Sequence, residues 1–398
     1  MVQNIGSKNP ILSPTINYYL SKILMASVIS SNAHRIKELR MNISHVSQER
    51  LLNAKIAYTP RNLRLESVAA LLQEDDVIPN TGDMLLAKVT KTGHPDGLEL
   101  THGRCSALFT GDEIIVCYGN HYAPDQFETQ VPKDLRSCDL VAAGGIAAHM
   151  NHRHANVKTP ASIQPIGLLA DSNGKRINLK DTALPKLVSL FPHPYTVAVV
   201  GATMNAGQTT TAATIIHGLT NAGYTVGAAK VTGTGSGRDS WLMTEAGAKL
   251  TLDFTHAGFP STYLATPEQI DHIVEMLVTH LSVARVDAIV IEVADGLLQC
   301  ETAALLNSRV FAKTVDSVIL AAGDVTDAAV GVEYLKRKKL PVTAISGRLT
   351  ASPLAIIEAI DAAGLPVLDQ AALRSQTIVD VLQIPPLQIT SIQNMLVS

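Results

Sequence analysis

Residues 201 to 210, GATMNAGQTT, carry the side chains and small-residue turns that could do chemistry with an anion. An apolar, β-branched run from Thr196 to Val200 precedes them, and a helix-patterned stretch carrying Thr209, Ile215, Ile216 and Leu219 follows, so the order reads strand, loop, helix. At such a junction the backbone N–H groups of Gly201 and of Asn205, Ala206, Gly207, Gln208, Thr209 and Thr210 can surround phosphate oxygens, while the Thr209 hydroxyl can hold magnesium. Two positions depart from the usual pattern of a phosphate loop. Ala202 stands where the first glycine is usual, with Gly201 just before it, and Gln208 stands in the place of a lysine. Glutamine donates hydrogen bonds but brings no positive charge, which removes a main electrostatic contribution to holding a β- or γ-phosphate. The bland alternative is a small-residue turn that lets a helix pack on a strand.

Further candidates lie at the ends of later apolar runs. Tyr224 to Ala229 reads as a strand that stops at Lys230, and VTGTGSGRDSW follows, where Thr232, Gly233 and Asp239 suit contact with substrate or phosphate; the alternative is a mobile crossover loop. Val286 to Val293 is apolar apart from Asp287 near its start and Glu292 near its end, and it ends in ADG. A buried acid is costly unless it meets a cation or a donor. Glu292 and Asp295 are therefore candidate magnesium ligands or water-positioning groups, with a salt bridge from Glu292 to Lys230 as the structural alternative. In YGNHYAPDQFE, His121, Tyr122, Asp125 and Glu128 are expected in an exposed loop, with His121 and Tyr122 as substrate contacts. His149, His152 and His154 invite a metal reading, but their spacing puts only some on one face, and surface or interdomain hydrogen bonding is the preferred use.

The elements that must position these groups fall into three stretches. Residues 1–75 are read as a helical segment: Tyr18 to Leu24 and Leu51 to Ile56 show helical spacing, Ser47 and Glu49 suit a helix start, and Leu65 to Leu72 resumes a helix after Pro60. Residues 76–185 read as a β-rich barrel or sandwich, with strands at Met84–Thr90, Leu98–Thr101, Ala107–Phe109, Glu113–Tyr118 and Ile166–Ala170. Residues 190–398 read as an α/β domain, a parallel sheet flanked by helices. Its later strands, Ser317–Ala321 and Val342–Ile345, stop at the loops GDVTD and SGRLTASP, which suit the surroundings of a nucleotide base.

Composition narrows the function classes. Hydrophobic residues make up 46% against 17% charged, with 4% aromatic, which suits parallel strands covered on both faces by helices. A net charge of −3 gives no general attraction to nucleic acid and favours small-molecule partners. The run KRKK at 336–339 suits a helix C-terminus. Cys105, Cys117, Cys138 and Cys300 form no CxxC pair, and Ile16 to Ile29 is interrupted by Lys22, so a cytoplasmic protein without a membrane segment is expected.

The loop, the lysine-ended strand and the acid-ended strand together resemble the SIMIBI branch of P-loop proteins, especially dethiobiotin synthetase, and also the P-loop family that includes D-glutamate N-acetyltransferases. The resemblance covers roughly residues 195 to 370. It matches Gly201 to Gly207 followed by Gln208 and Thr209, then Lys230, then Glu292 within IEVADG. It implies an ATP- or GTP-dependent small-molecule ligase or kinase with magnesium as cofactor and a homodimer as its state. In that reading residues 201–210 hold the triphosphate, Thr209 and Glu292 with Asp295 hold magnesium, and Lys230 steadies the developing charge. A coenzyme A-dependent acyltransferase and a non-catalytic nucleotide sensor or assembly protein are the alternatives, since neither requires the missing lysine.

Overall fold

The computed structural model describes residues 43–73, 77–188, 190 and 193–387. Its first part is built from β1 (Ile43–His45), α1 (Gln48–Asn53), β2 (Lys55–Ile56), β3 (Ala70–Leu72), β4 (Met84–Lys91), β5 (Gly97–Glu99), β6 (Cys105–Ala107) and β7 (Glu113–Tyr118). β8 (His121–Tyr122), β9 (Phe127–Gln130), β10 (Cys138–Ala142), β11 (Ile146–Arg153) and β12 (Ala161–Ala170) complete it. Pairing runs from β12 to β4, β7, β11 and β10, and β10 pairs back with β12, so these strands close into a barrel. Strand alternation fills it: Leu85, Ala87 and Val89 share one core with Ile114, Val116, Leu140 and Ile163. Met84 and Leu86 point the other way, into a second core with Leu51 of α1.

The helical reading of residues 1–75 is corrected in part. Ser47 caps α1, accepting from the Arg50 amide, as its position suggested. Leu65–Ser67, however, is a single 3-10 turn, and Ala70–Leu72 is a strand in register with β1 and β12. All three residues of β3 are buried, and a fully buried strand has no alternation to set it apart from a buried helix face. The expected helix around Tyr18 lies outside the described residues.

The second part is α/β. β13 (Tyr195–Gly201), α2 (Gln208–Asn221), β14 (Val226–Lys230), α3 (Gly237–Glu245), β15 (Leu250–Asp253), α4 (Pro267–Val283) and β16 (Ala288–Gly296) come first. α5 (Cys300–Leu306), α6 (Arg309–Thr314), β17 (Ser317–Ala321), α7 (Val325–Arg337), β18 (Val342–Ser346), α8 (Pro353–Ala363), α9 (Gln370–Arg374) and α10 (Thr377–Leu382) follow. The sheet order is β15-β14-β16-β13-β17-β18, and every pairing is parallel.

Both faces are covered, which is why these strands are mainly apolar, with their charged residues Lys230, Asp253, Glu292 and Asp295 toward the carboxyl ends. Val197 and Val199 pack with Ile215, Ile216 and Leu219 of α2. Ala198 and Val200 face the opposite side, with Ile270, Ile273 and Leu277 of α4. After β13 the chain crosses to β14 and β15 on one side, and only later to β17 on the other. The crevice at the carboxyl end of β13 therefore lies where the strand order reverses, the position at which open α/β sheets bind ligands.

Candidate functional site

α2 begins at Gln208 with Gly207 as its N-cap, at φ 106°, and no side chain caps it. Its first turn holds no acid, so the amides at its start and the positive end of its dipole open toward the crevice without a protein partner in charge. Asn205, at φ 62°, takes the other left-handed position of the turn, which asparagine tolerates better than most residues. A cavity of about 510 Å³ opens here, lined by Asn205, Gly207, Gln208, Thr209 and Thr210 from the loop, together with Lys230, Gly233, Asp239, Glu292 and Asp295. His121 and Tyr122 line it from the barrel. Gly201, Ala206 and Thr232 sit behind this lining; the Thr232 hydroxyl donates to the Ala294 carbonyl at 3.3 Å. Thr232 is thus a loop brace rather than the substrate contact its position suggested.

Gln208 is buried and folds back into the loop. Its amide nitrogen donates to the Thr203 carbonyl at 3.2 Å and the Asp295 carbonyl at 2.8 Å, and its amide oxygen accepts from the Gly207 N–H at 3.1 Å. Gly201 is required beneath it, because a Cβ there would stand 1.8 Å from the Gln208 amide nitrogen. The residue that replaces the lysine therefore ties the loop of β13 to the end of β16, and takes up one loop amide itself.

The acids and the lysine meet because β14 and β16 are in register at Lys230 and Glu292. The Lys230 ammonium donates to Asp239 and lies 3.7 Å from Glu292 Oε1. The salt bridge anticipated for Glu292 is present, and Oε1 of the same carboxyl also accepts from the Thr209 hydroxyl at 2.6 Å. Burial works against the charge on Lys230, but Glu292 and Asp239 outweigh it and hold the ammonium above its ordinary range. Burial likewise raises the Glu292 carboxyl, with Lys230 opposing. It pushes Asp295 up to about 6, again against Lys230 and helped by Glu301 and Asp125. Asp295 sits at φ 68°, a strained position for aspartate that turns the chain at the end of β16.

Glu292 Oε2 is buried without a hydrogen-bond partner. A carboxylate with one orphaned oxygen beside a threonine hydroxyl fits magnesium, which takes few protein oxygens and fills its remaining positions with water and phosphate. Thr209 and Glu292 are the residues that would hold it. The histidines do not form a metal centre: His149 and His152 lie on β11, His152 pairs with Glu128 at 2.9 Å, and no group of three or more metal-ligating side chains occurs among the described residues.

His121 departs from expectation. It lies in β8 and is 5% exposed, not in an open loop, because the chain turns back as β9 and pairs with it, with Thr129 opposite His121. Tyr122 is half-buried, with its ring stacked on Tyr263 at 5.3 Å. Arg348 also lines the cavity, and its amide donates to the Ala206 carbonyl at 2.9 Å. Sequence reasoning named its loop but not the residue; an arginine immediately after the glycine that ends a strand was the available signal.

The barrel is fastened to the α/β part beside this cavity. Tyr58 donates to Asp253 at 2.7 Å, Arg61 lies over the Tyr58 ring and reaches Asp253 at 3.4 Å, and Glu99 accepts from the Gly237 amide at 2.7 Å. Asn205 of the loop after β13 donates to Asp125 of the barrel at 3.0 Å.

No protein-family model matches this chain, and no curated protein does. Among solved structures it is similar to the signal recognition particle 54 kDa protein of Aeropyrum pernix in complex with GDP, at 18% identity and a TM-score of 0.33, over 48% of this chain and 46% of that one. A DUF1611 family protein from Anabaena variabilis gives 15% identity and a TM-score of 0.35, over 49% and 58%. The cell division protein FtsY of Thermotoga maritima gives 18% and 0.34, over 49% and 70%. The chain thus spans about half the length of the first two. Likeness this slight carries no inference about ligand or reaction.

Proposed function

We propose that the crevice binds the phosphates of a nucleotide together with magnesium, and that the protein uses ATP or GTP to phosphorylate or ligate a small molecule. The observation that carries this reading is the uncapped start of α2, opening onto a cavity in which Thr209 and Glu292 stand 2.6 Å apart beside the buried Lys230. Helix amides bind phosphate oxygens, Thr209 and Glu292 hold the metal, and the metal neutralises phosphate charge when bound. Lys230 steadies charge from a fixed position, since two carboxylates hold it. Gln208 keeps the loop in shape without adding charge; among the described residues lining the cavity, Arg348 is then a second cation, beside the paired Lys230, to meet the phosphates.

One observation favours a second reading. Gln208 consumes the Gly207 amide, and Lys230 is already paired, so the site is better furnished to hold a nucleotide than to drive its cleavage. A nucleotide-binding sensor or assembly protein follows from that arrangement. Calorimetry with ATP or GTP and magnesium, followed by assay for released phosphate, separates the two. Binding with turnover supports the enzyme, and binding without turnover in the presence of candidate acceptors supports the sensor. Gln208→Lys is expected to tighten nucleotide binding by about tenfold through the restored charge. Absence of binding in both forms overturns both readings. A homodimer belongs to the same proposal and is checked by sedimentation with and without nucleotide.

A further inference from the structure

His121 reaches the cavity from the barrel, while the phosphate loop reaches it from the α/β part. Its Nδ1 lies 2.8 Å from the Thr234 hydroxyl, and its Nε2 is buried with no hydrogen-bond partner. Burial pushes the imidazole down to about 4, with Asp125 opposing, so the ring is neutral near pH 7. A neutral imidazole with one nitrogen engaged offers at the other either an N–H or a lone pair, as the tautomer dictates. A hydroxyl group satisfies both cases. A carboxylate satisfies one, and it would enter a cavity where Asp239, Glu292 and Asp295 outnumber Lys230 and Arg348. Tyr122, fixed against Tyr263, adds a flat wall beside the ring.

We propose that His121 Nε2 binds a hydroxyl of a second ligand, an uncharged polyol or sugar-like molecule, held across the cavity from the phosphate loop. The proposal rests on the reading of this cavity as a two-ligand site and names the chemical class of the second ligand. Thr234 engages Nδ1 and holds the ring, His121 orients the hydroxyl, and the acids keep anionic analogues out.

The test is calorimetry on the full chain with glycerol, ribose and myo-inositol as neutral probes and with glycerate and ribonate as acidic counterparts, in the presence of magnesium and a non-hydrolysable ATP analogue. At least one neutral probe is expected to bind at least tenfold more tightly than its acidic counterpart. His121→Phe should weaken it at least tenfold, and His121→Gln, which returns an amide donor and acceptor, should recover part of the loss. If no neutral probe binds, if the acids bind as well, or if His121→Phe binds like the unaltered protein, the proposal is overturned. Should the Phe variant fail to fold, ring ¹⁵N spectra of the unaltered protein decide: the Nε2 resonance must move when the probe is added, and an unmoved resonance overturns the proposal. Binding of the nucleotide analogue is read in the same samples. Its loss with probe binding intact counts against the nucleotide reading alone, and its retention without probe binding counts against this one alone.

Discussion

Gln208 shows how one side chain can replace another in position while changing its role. Its amide makes two hydrogen bonds inside the loop, with Gly207 and Thr203, and a third to the Asp295 carbonyl at the end of β16. Gln208→Ala would leave a buried N–H and two carbonyls short of partners and is expected to lower stability by about 1–3 kcal/mol, read from urea denaturation. Thr209→Val keeps the shape of its side chain and removes the hydroxyl between the helix and Glu292. Nucleotide affinity measured with magnesium should fall at least tenfold, with little change without it. Asp295 gives a pH signature. Its folded pKa of about 6 lies above the ordinary 3.8, so its stabilising contribution is complete below about pH 4 and is lost as pH rises through 6. Denaturation of the metal-free protein should therefore show stability falling between pH 4 and 7 by up to about 2–3 kcal/mol from this group, and Asp295→Asn should remove that component. These residues were conspicuous from their types, as an acid in an apolar strand and a glutamine at the start of a helix after a small-residue turn. Their partners were not, because Gln208 meets Asp295 and Thr209 meets Glu292 across 87 and 83 residues of chain.

Among the elements of the α/β part, Ser317–Ala321 is a strand and Pro267–Val283 a helix with Ile270, Ile273, Val274 and Leu277 inward, both with the bounds their sequence suggests, whereas α5 and α6 were not read. The capping box of α4 at Thr266 and Gln269 and its proline in the first turn are local signals that no tertiary contact overrides. The stretch from Leu65 to Leu72 was misread because three consecutive buried residues carry no period. β8 and β9 were taken for an open loop because YAPDQ, with its proline and acid, resembles a turn; it is one, but the strands on either side pair across it. The fastening between β15 and the segment after β2 is an element-scale device. Burial works to raise the Asp253 carboxyl, but Arg61 and His256 overcome it and hold it well below the usual carboxylate range. A depressed pKa contributes stability above the unfolded value of about 3.8 and loses it as pH falls below that. Asp253→Ala leaves Arg61 without its carboxylate and should cost about 3–5 kcal/mol in chemical denaturation.

For the whole molecule, the barrel and the α/β part share buried contacts on one side of the cavity. Gly144 packs so closely on Gly235 that a Cβ would stand 1.9 Å from its carbonyl oxygen. Gly144→Ala must move one part against the other, and the loop carrying Gly233 and Thr234 would move with it. The unaltered protein is expected to unfold in one calorimetric transition, whereas Asp253→Ala or Gly144→Ala should separate the transitions of the two parts. A single transition in both variants would mean that the cooperativity comes from elsewhere. None of the helices among the described residues is long and apolar enough to cross a membrane.

The sequence by itself determined the α/β part and the strand–loop–helix order around residues 201–210, because strand apolarity, helix capping and the small residues after Val200 are local properties of the chain. It also determined that Gln208 brings no charge. Only the tertiary structure decided that this glutamine ties two strands together, that Lys230 is spoken for by two carboxylates, and that a buried histidine of the barrel faces the same cavity. Those outcomes depend on sheet order and strand register, which bring distant residues within a few ångströms of one another and which no run of neighbouring letters encodes.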